Sequence, residues 1–213
     1  MRVIAIDGPA GSGKSTVARA VADRLGLGYL DTGAMYRAVA FAALRRGIDP
    51  DDADTVGRLA EQLDLEVGEL VIVDGVDATI EIRGPEVTRA VSTVAANPVV
   101  RKELNRRQHE WASAHEGGVI EGRDIGSVVF PDAHLKVYLT ADDRERAARR
   151  SKEVLDMHYD DVAADIARRD HIDSSRATAP LTVAEGSYTV DTTGRSIDQV
   201  VDEVLGLASG SGS

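Results

Sequence analysis

The chain has 213 residues, which is long enough for one sizeable hydrophobic core with a small appended subdomain. Its formal net charge of −11 argues against a nucleic-acid partner, because proteins that bind nucleic acids usually present a basic surface. No apolar run approaches the roughly 20 residues of a membrane helix, and the absence of cysteine excludes disulfides, thiolate metal sites and cysteine nucleophiles.

The N-terminal segment combines a strand pattern, a glycine-rich loop and the start of a helix. Residues 3–6 are an apolar run typical of a buried parallel strand, and residues 8–15 match G-x-x-x-x-G-K-[ST] at every defined position. In such a loop the backbone N–H groups and the helix N-terminus point at one spot, so we expect a nucleoside triphosphate to bind there. Lys14 is expected to reach the β- and γ-phosphates, and the Ser15 hydroxyl to bind Mg²⁺. The residues assigned to the triphosphate are Gly8, Pro9, Ala10, Gly11, Ser12, Gly13, Lys14, Ser15 and Thr16.

The segment that follows the first helix predicts further helices and then a small antiparallel insertion. After a very short strand at 29–30, residues 31–33 open a helix that runs to about residue 46. Asp52 is a plausible N-cap of a further short helix that runs through residue 63. Residues 65–67, 71–73 and 79–82 are strand-like and are separated by Gly68-Glu69 and Asp74-Gly75. Two tight turns that join short strands indicate an antiparallel insertion rather than part of a parallel core.

The second half of the chain returns to alternating helices and strands. Helices are predicted at residues 86–96 and 99–114, core strands at 118–121 and 135–139, and two highly charged helices at 142–154 and 159–170. A last strand at 188–190 and a final helix from residue 197 follow, and the Gly/Ser-rich tail 209–213 is expected to be flexible. This order predicts a parallel α/β sheet with helices on both faces. Because the chain begins directly with a strand pattern, no signal peptide is expected.

Three segments that carry arginines stand out as candidates for binding a second anionic ligand. They are DTGAMYR at residues 31–37, EGRDIG at 121–126 and RDHIDSSR at 169–176. The second segment directly follows a predicted core strand, and ligands of open parallel sheets bind at the carboxyl ends of the strands. Each arginine taken alone has an equally good interpretation as a solvated surface charge. Their combination with a phosphate-binding loop favours a functional role.

The same segments carry a resemblance to the bacterial cytidylate kinases, which belong to the nucleoside monophosphate (NMP) kinases. The matching motifs are GPAGSGKST, DTGAMYR, GRDIGSVVFPDA and SSRATAPL, which occur in the family's order over most of the chain. The resemblance implies an α/β fold of the P-loop NTPase class: a three-layer sandwich with a five-stranded parallel core sheet. It also implies one domain over residues 1–208 that has three parts. These are a core (1–31, 97–141 and 177–208), an NMP-binding region (about 32–96, with the β insertion at 65–82) and a helical lid (about 142–176).

The resemblance also implies a role for individual residues. Arg37, Arg123 and Arg176 would clamp the acceptor phosphate, beside Thr32 and Tyr36. Positions that match contacts to cytosine are Ser92, Arg101 and Asp124, and the pair near the ribose corresponds to Arg169 and Asp173. Lid arginines that reach the donor phosphates correspond to Arg146 and Arg150, with Arg149 as an alternative. Lys14, Arg123, Arg176, Arg146 and Arg150 are therefore the expected catalytic residues. Glu121 stands where relatives often have Asp, which keeps the residue acidic.

The implied reaction transfers the γ-phosphate of ATP to CMP or dCMP, with Mg²⁺ as cofactor. A phosphate monoester is mostly dianionic at neutral pH, so its oxygen needs no general base. The five histidines show no metal-ligand spacing and are interpreted as structural or surface residues; they are His109, His115, His134, His158 and His171. We expect a cytoplasmic monomer whose partners are the small molecules CMP, dCMP and ATP, with no nucleic acid and no membrane.

Two other classes of protein share part of this pattern. A GTP-dependent switch protein would need an N-K-x-D base-reading segment, and the sequence contains none. A small-metabolite kinase of the shikimate or gluconate type shares the first motif and the overall size. Such an enzyme does not need three arginines and a base-contacting aspartate to bind a nucleotide, so the cytidylate kinase interpretation is favoured.

Overall fold

The structure is a computed structural model that describes residues 1–153, 159–176 and 178–210. It divides into two compact units: unit 1 consists of Met1–Tyr29 and His115–Ser213, and unit 2 of Leu30–Ala114. Some predicted features lie outside the described residues. These are the end of the first charged helix at Val154, the lid residues 154–158 with His158, and the tail residues 211–213.

The described part of the chain contains eight strands and eight α-helices. The strands are β1 (Arg2–Asp7), β2 (Tyr29–Asp31), β3 (Leu65–Val67), β4 (Val71–Val73), β5 (Val76–Asp77), β6 (Gly117–Gly122), β7 (Leu135–Thr140) and β8 (Tyr188–Asp191). The helices are α1 (Lys14–Leu25), α2 (Thr32–Arg45), α3 (Ala53–Gln62), α4 (Pro85–Ala96), α5 (Pro98–Ala114), α6 (Asp143–Glu153), α7 (Tyr159–Ser175) and α8 (Ile197–Gly210). Across the described ranges, no helix combines the length and the apolar character that a membrane span requires.

The main sheet has five strands in the order β2-β6-β1-β7-β8. Strand β1 lies at its centre and pairs in parallel with β6 and β7, and β7 pairs in parallel with β8. Asp7, the last residue of β1, is in register with Gly122 of β6 and Tyr138 of β7. The carboxyl ends of the three central strands therefore meet at one edge, and the predicted five-stranded parallel sheet is confirmed.

The core of unit 1 forms where α1 and α8 pack against this sheet. Val17 and Val21 of α1 and Val200 and Val204 of α8 are each spaced by four residues, which places each pair on one helix face. All four are buried against Ile4 and other apolar residues of the strands. Burying each such side chain stabilises the fold by about 1.5–3 kcal/mol.

Unit 2 consists of helices α2 to α5 and a small antiparallel sheet. Helix α2 packs against α3 and α4, and α3 packs against α5. The sheet has the order β3-β4-β5, with β4 antiparallel to both neighbours. The predicted antiparallel insertion is therefore confirmed, and Asp52 caps α3 as expected by accepting a hydrogen bond from the Thr55 N–H at 3.1 Å.

The prediction of a strand at residues 79–82 is wrong. The third strand is β5, and a short 3₁₀ helix covers Glu81–Arg83. Asp77 accepts hydrogen bonds from the Thr79 N–H at 3.0 Å and the Thr79 hydroxyl at 2.6 Å, and this local turn ends the strand. Alternating apolar residues predict a strand, but these side-chain hydrogen bonds determine the local structure.

The predicted flexible tail begins too early. Helix α8 continues through Gly210, so Ser209 and Gly210 are helical. The Ser209 hydroxyl donates a hydrogen bond of 3.0 Å to the Leu205 carbonyl one turn back, a contact that the helical geometry of this segment allows.

Candidate active site

The glycine-rich segment between β1 and α1 has the geometry of a phosphate loop. Residues 8–13 connect the strand to the helix, and Lys14, Ser15 and Thr16 form the first turn of α1. Gly13, the N-cap, has a left-handed backbone (φ 88°). The Lys14 Nζ donates a hydrogen bond of 2.9 Å to the Pro9 carbonyl, so the ammonium group crosses back over the loop. The predicted order of strand, loop and helix is confirmed.

Two loop glycines are required by close backbone approaches as well as by positive φ. At Gly8 (φ 153°) a Cβ atom would lie 2.1 Å from the Leu139 carbonyl oxygen. At Gly11 (φ 72°) it would lie 2.6 Å from the Arg146 carbonyl oxygen. A side chain at either position would displace backbone atoms, so the loop can pass this close to β7 and α6 only where glycine stands.

The Ala10 peptide group of the loop is bound from both sides by the two charged helices. Its N–H donates to Asp170 of α7 at 3.3 Å, and its carbonyl accepts from Arg146 of α6 at 3.0 Å. Arg146 also forms ion pairs with Asp170 and, at 2.6 Å, with Asp143, and its own side chain is 8% exposed. The structure thus places Arg146 behind the loop, with its guanidinium used by the loop backbone and by two carboxylates.

Arg149 and Thr192 contact the loop at Ser12. Arg149 donates to the Thr192 hydroxyl at 2.8 Å, the Thr192 carbonyl at 2.9 Å and the Ser12 carbonyl at 3.4 Å, and it pairs with Glu145. The buried Thr192 hydroxyl also lies 3.2 Å from the Ser12 carbonyl. Arg150, the other lid arginine proposed from the sequence, is half-buried on α6.

A cluster of arginines and aspartates lies beside the phosphate loop in unit 1. Arg123, just after β6, donates to the Gly8 carbonyl, and its Nε donates to Asp173 at 2.9 Å. Arg176 pairs with Asp124 at 3.3 Å and with Asp173 at 3.9 Å. Arg169 interacts electrostatically with Arg123 and Asp173 and completes this arginine cluster. Three arginines and two carboxylates leave the cluster with an excess of positive charge.

Within the arginine cluster, the surroundings of Arg169 disfavour the positive charge of its side chain. Burial, together with the nearby positive charge of Arg123, lowers the pKa of Arg169 to about 10, whereas Asp173 opposes this shift. The residue is 8% exposed, and its buried Nε has no hydrogen-bond partner within the described part of the chain. A buried donor of this kind fits a ligand oxygen, because an unsatisfied N–H is costly to bury.

Unit 2 contains the other predicted substrate residues, on α2, α4 and α5. The Arg101 guanidinium stacks 5.6 Å from the centre of the Tyr36 ring, and it donates to the Ala95 carbonyl at 3.3 Å. Arg37 donates to the Ile82 carbonyl at 3.3 Å and to the Thr88 hydroxyl at 3.0 Å.

Two hydroxyl residues of this set are buried in unit 2. Thr32 is the first residue of α2 and is 3% exposed, and Asp31 caps the helix by accepting from the Ala34 N–H at 2.9 Å. Ser92 on α4 is 4% exposed, and its hydroxyl has no hydrogen-bond partner among the residues that the structure describes. A buried hydroxyl without a partner fits a polar ligand atom better than an empty core position.

A pocket of about 350 Å³ in unit 2 involves none of the predicted site residues. It lies between the small sheet and α5, and Arg106 and Glu110 at its rim already pair with each other. The pocket is lined by Leu30, Met35, Leu65, Val67, Arg106, Arg107, Glu110 and Trp111.

Sequence reasoning missed three polar residues that hold the site together. Asp170 and Thr192 bind the phosphate loop backbone, as described above. Asp7, at the end of β1, accepts hydrogen bonds from the Ile125 N–H at 2.9 Å and the Gly126 N–H at 2.7 Å. Of these three residues, only Asp7 has a local sequence signal, because its carboxylate comes directly after an apolar run and just before the loop.

Comparison with known proteins gives one consistent family. A family model described as "Cytidylate kinase" matches residues 4–209. Over 214 residues the chain is 47% identical to a cytidylate kinase of Mycobacterium avium (strain 104), an alignment that covers 96% of this chain and 94% of that protein. A cytidylate kinase of Shouchella clausii (strain KSM-K16) is 47% identical over 213 residues, with the same coverage of 96% and 94%.

A solved structure supports the fold. The chain is similar to an unliganded sugar kinase from Janibacter sp. HTCC2649, with a TM-score of 0.51 and 17% sequence identity. The superposition covers 98% of this chain and 95% of that chain. At this identity the likeness concerns the fold alone.

Proposed function

Because this chain belongs to the cytidylate kinase family, we propose that its phosphate loop binds ATP and that the arginine cluster of unit 1 binds the phosphate of CMP. The reaction is the transfer of the γ-phosphoryl group of ATP to CMP or dCMP, which yields ADP and CDP or dCDP. The observation that carries the assignment of residues is the hydrogen bond from Arg123 to the Gly8 carbonyl, because it joins the arginine cluster directly to the phosphate loop.

The chemistry requires charge neutralisation rather than proton abstraction. The nucleophile is an oxygen of the CMP phosphate, whose second pKa near 6 leaves it mostly dianionic at neutral pH. The obstacle is the repulsion between two polyanions. Arginine suits this task because its planar guanidinium binds phosphate oxygens in bidentate fashion and keeps its charge.

Within unit 1 we assign the phosphate of CMP to Arg123 and Arg176. Their orientation is held by Asp173 and Asp124 at distances of 2.9 and 3.3 Å, so little side-chain freedom is lost when a phosphate binds. Asp124 is proposed to contact the cytosine, and Arg169 with Asp173 the ribose. The orphaned Nε of Arg169 supports this assignment, since a ligand oxygen would satisfy it.

Within unit 2 we assign Arg37, Thr32 and Tyr36 to the CMP phosphate region and Ser92 with Arg101 to the cytosine. The buried Ser92 hydroxyl supports the second assignment, because the carbonyl, ring nitrogen and amino group of cytosine offer both hydrogen-bond donors and acceptors. Stacking of Arg101 on Tyr36 keeps its guanidinium in one plane, which favours recognition of a planar base.

On the donor side we propose that Lys14 binds the β- and γ-phosphates and that Arg150 contacts the transferring group. Arg146 and Arg149 bind the loop carbonyls of Ala10 and Ser12. We therefore propose that Arg146 supports the donor site by holding the loop backbone, while Lys14 and Arg150 neutralise the donor phosphates. Neutralising the transferring phosphoryl group is most of what such a site supplies.

The residues present fit a magnesium ion bound together with ATP. Ser15 is exposed in the first turn of α1, next to Lys14, and its hydroxyl is the hard oxygen ligand that Mg²⁺ accepts alongside phosphate oxygens and water. When bound, Mg²⁺ would neutralise charge on the β- and γ-phosphates. Loss of turnover on chelation, with recovery on added Mg²⁺, would test this cofactor.

We also propose a cytoplasmic monomer, and we retain the division into core, NMP-binding region and lid as a prediction. A chain without cysteine is compatible with a reducing compartment. Light scattering of the purified protein would test the oligomeric state.

The proposed substrate is tested by measuring ADP release from ATP–Mg²⁺ in the presence of CMP, dCMP, UMP, AMP or shikimate. CMP and dCMP are expected to support fast turnover, and shikimate and AMP are not. Fast turnover of shikimate with none of CMP would favour the small-metabolite kinase interpretation instead. A reaction without any acceptor measures the background of ATP hydrolysis and serves as the blank.

A further inference from the structure

The roles assigned above to the site residues do not explain the carboxylate of Asp7. Asp7 is the last residue of β1 and is 4% exposed. Its Oδ1 accepts a hydrogen bond of 2.9 Å from the Ile125 N–H, and its Oδ2 accepts one of 2.7 Å from the Gly126 N–H. Both donors directly follow Arg123 and Asp124, two residues of the arginine cluster.

The two N–H groups belong to the start of a short π-helical turn, Ile125–Val129. The later bonds of this turn are internal: the Asp124 carbonyl accepts from the Val128 N–H at 2.9 Å, and the Ile125 carbonyl accepts from the Phe130 N–H at 2.7 Å. The first N–H groups of a helical turn have no partner within the turn. Asp7 supplies both partners and so anchors the segment to the end of the central strand.

Only a carboxylate of this size can satisfy both donors. Asparagine would offer one carbonyl oxygen and would turn its NH₂ group toward the second N–H, and serine would offer a single oxygen. Holding a charge here is costly, because burial raises the pKa of Asp7 to about 6, although the two backbone N–H groups lower it. Lys14 also favours the charged form, and Asp124 disfavours it. A neutral side chain would avoid this cost, so the pair of hydrogen bonds is the feature that requires the carboxylate.

We propose that Asp7 is a positioning residue for CMP, whose carboxylate fixes the backbone of residues 123–126 and thereby the orientation of the arginine cluster. This inference rests on the proposed assignment of Arg123, Asp124 and Arg176 to CMP. Asp7 itself is not proposed to contact the substrate. Its effect is transmitted through the backbone that follows β6. The phosphate loop contacts Arg123 at Gly8, but it has further contacts of its own with Asp170, Arg146 and Thr192.

The test compares the wild-type protein with Asp7→Asn by steady-state kinetics and by calorimetric titration of CMP and of ATP–Mg²⁺ separately. We expect the KM and Kd for CMP to rise by about ten- to hundredfold, as for loss of one buried hydrogen bond to a charged group. The KM and Kd for ATP are expected to stay within about twofold of wild type, which corresponds to a change in binding free energy below about 0.4 kcal/mol. Asp52→Asn is the matched control: Asp52 also accepts a backbone N–H, but it is an exposed helix cap.

Two outcomes would overturn the proposal: unchanged CMP binding in folded Asp7→Asn, or an equal loss for ATP and CMP, which would place the effect on the phosphate loop. If Asp7→Asn does not fold, amide hydrogen exchange of the wild-type protein decides the matter. The Ile125 and Gly126 amides should lose protection between pH 7 and pH 5 relative to the Val119 amide, which bonds to the Gly28 carbonyl. Equal protection changes at all three amides would contradict the proposal. Failure of the proposed function is distinguishable, since the wild-type protein itself would then not bind CMP.

Discussion

Asp124 and Arg176 form an ion pair in which both side chains are buried. The Arg176 Nη2 lies 3.3 Å from the Asp124 Oδ1, and the Arg176 and Asp124 side chains are 5% and 6% exposed. The Arg176 Nε also donates to the Ala179 carbonyl at 2.6 Å. The guanidinium is therefore oriented by the protein before a phosphate arrives, which is the arrangement that electrostatic preorganisation requires.

Replacing Arg176 with alanine should damage acceptor binding and catalysis. We expect kcat/KM for CMP to fall by at least about a hundredfold, because a bidentate charged contact to phosphate is lost. The free energy of unfolding should fall by about 1–3 kcal/mol, since buried Asp124 loses one of its partners. Kinetics with CMP and urea denaturation measure the two effects. Arg168→Ala is the control, because Arg168 lies on α7, which ends just before Arg176, but is exposed and pairs with Asp165. Unchanged CMP kinetics in Arg176→Ala would contradict the clamp.

Replacing Lys14 with alanine should abolish turnover. The ammonium group, which donates to the Pro9 carbonyl over the loop, is assigned to the β- and γ-phosphates, and its loss should lower kcat by at least about a thousandfold. Single-turnover phosphoryl transfer to CMP measures this directly. Lys102→Ala removes an exposed lysine of α5 and should leave the rate unchanged. A Lys14→Ala protein that kept the wild-type rate would disprove the phosphate-loop assignment.

Gly8→Ala should be far more destabilising than Gly26→Ala. At Gly8 the new Cβ would lie 2.1 Å from the Leu139 carbonyl oxygen, whereas at Gly26 (φ 63°) no atom lies within 4 Å. We expect Gly8→Ala to cost about 3 kcal/mol or more, from backbone strain and the clash together. Gly26→Ala should cost about 1 kcal/mol, from the left-handed backbone alone. Urea denaturation of both variants compares them, and equal costs would show that the loop can move away from β7.

The phosphate loop was predictable because its determinants are local. A buried strand, three glycines with positive φ, and a helix that starts at Lys14 follow one another directly along the chain. The main parallel sheet follows from the same kind of pattern, since β1, β6 and β7 each contain a short apolar run. Where local bonds competed with the apolar pattern, as at Asp77 and Thr79, the predicted strand was wrong.

The supporting residues of the site were not predictable because their contacts span most of the chain. Asp7 and Ile125 are 118 residues apart, Ala10 and Asp170 are 160 apart, and Ser12 and Thr192 are 180 apart. Even at Asp7, where a carboxylate follows an apolar run, no local pattern identifies the distant backbone groups that it binds. The proposed contacts of the arginines with CMP came from the family motifs, and they remain predictions that the variants above test.

The titration of Asp7 gives a pH-dependent stability whose sign is opposite to that of most aspartates. Burial raises the pKa of Asp7 from its ordinary value of 3.8 to about 6. As pH falls, the Asp7 carboxyl of the folded protein therefore takes up a proton at a higher pH than the same carboxyl in the unfolded chain. Proton uptake thus favours the folded state as pH falls from about 7 to about 4. We expect the free energy of unfolding of wild type to rise relative to Asp7→Asn by up to about 3 kcal/mol over this range.

The contribution of Asp52 to the pH dependence of stability has the opposite sign, because its hydrogen bonds with Thr55 lower its pKa. The unfolded carboxyl of Asp52 then takes up a proton before the folded one does, so wild type should lose stability relative to Asp52→Asn as pH falls. Urea denaturation of wild type, Asp7→Asn and Asp52→Asn from pH 7 down to about pH 3 measures both differences, because the Asp52 difference develops mainly near and below its ordinary pKa of 3.8. A constant difference between wild type and Asp7→Asn would show that Asp7 does not titrate in this range.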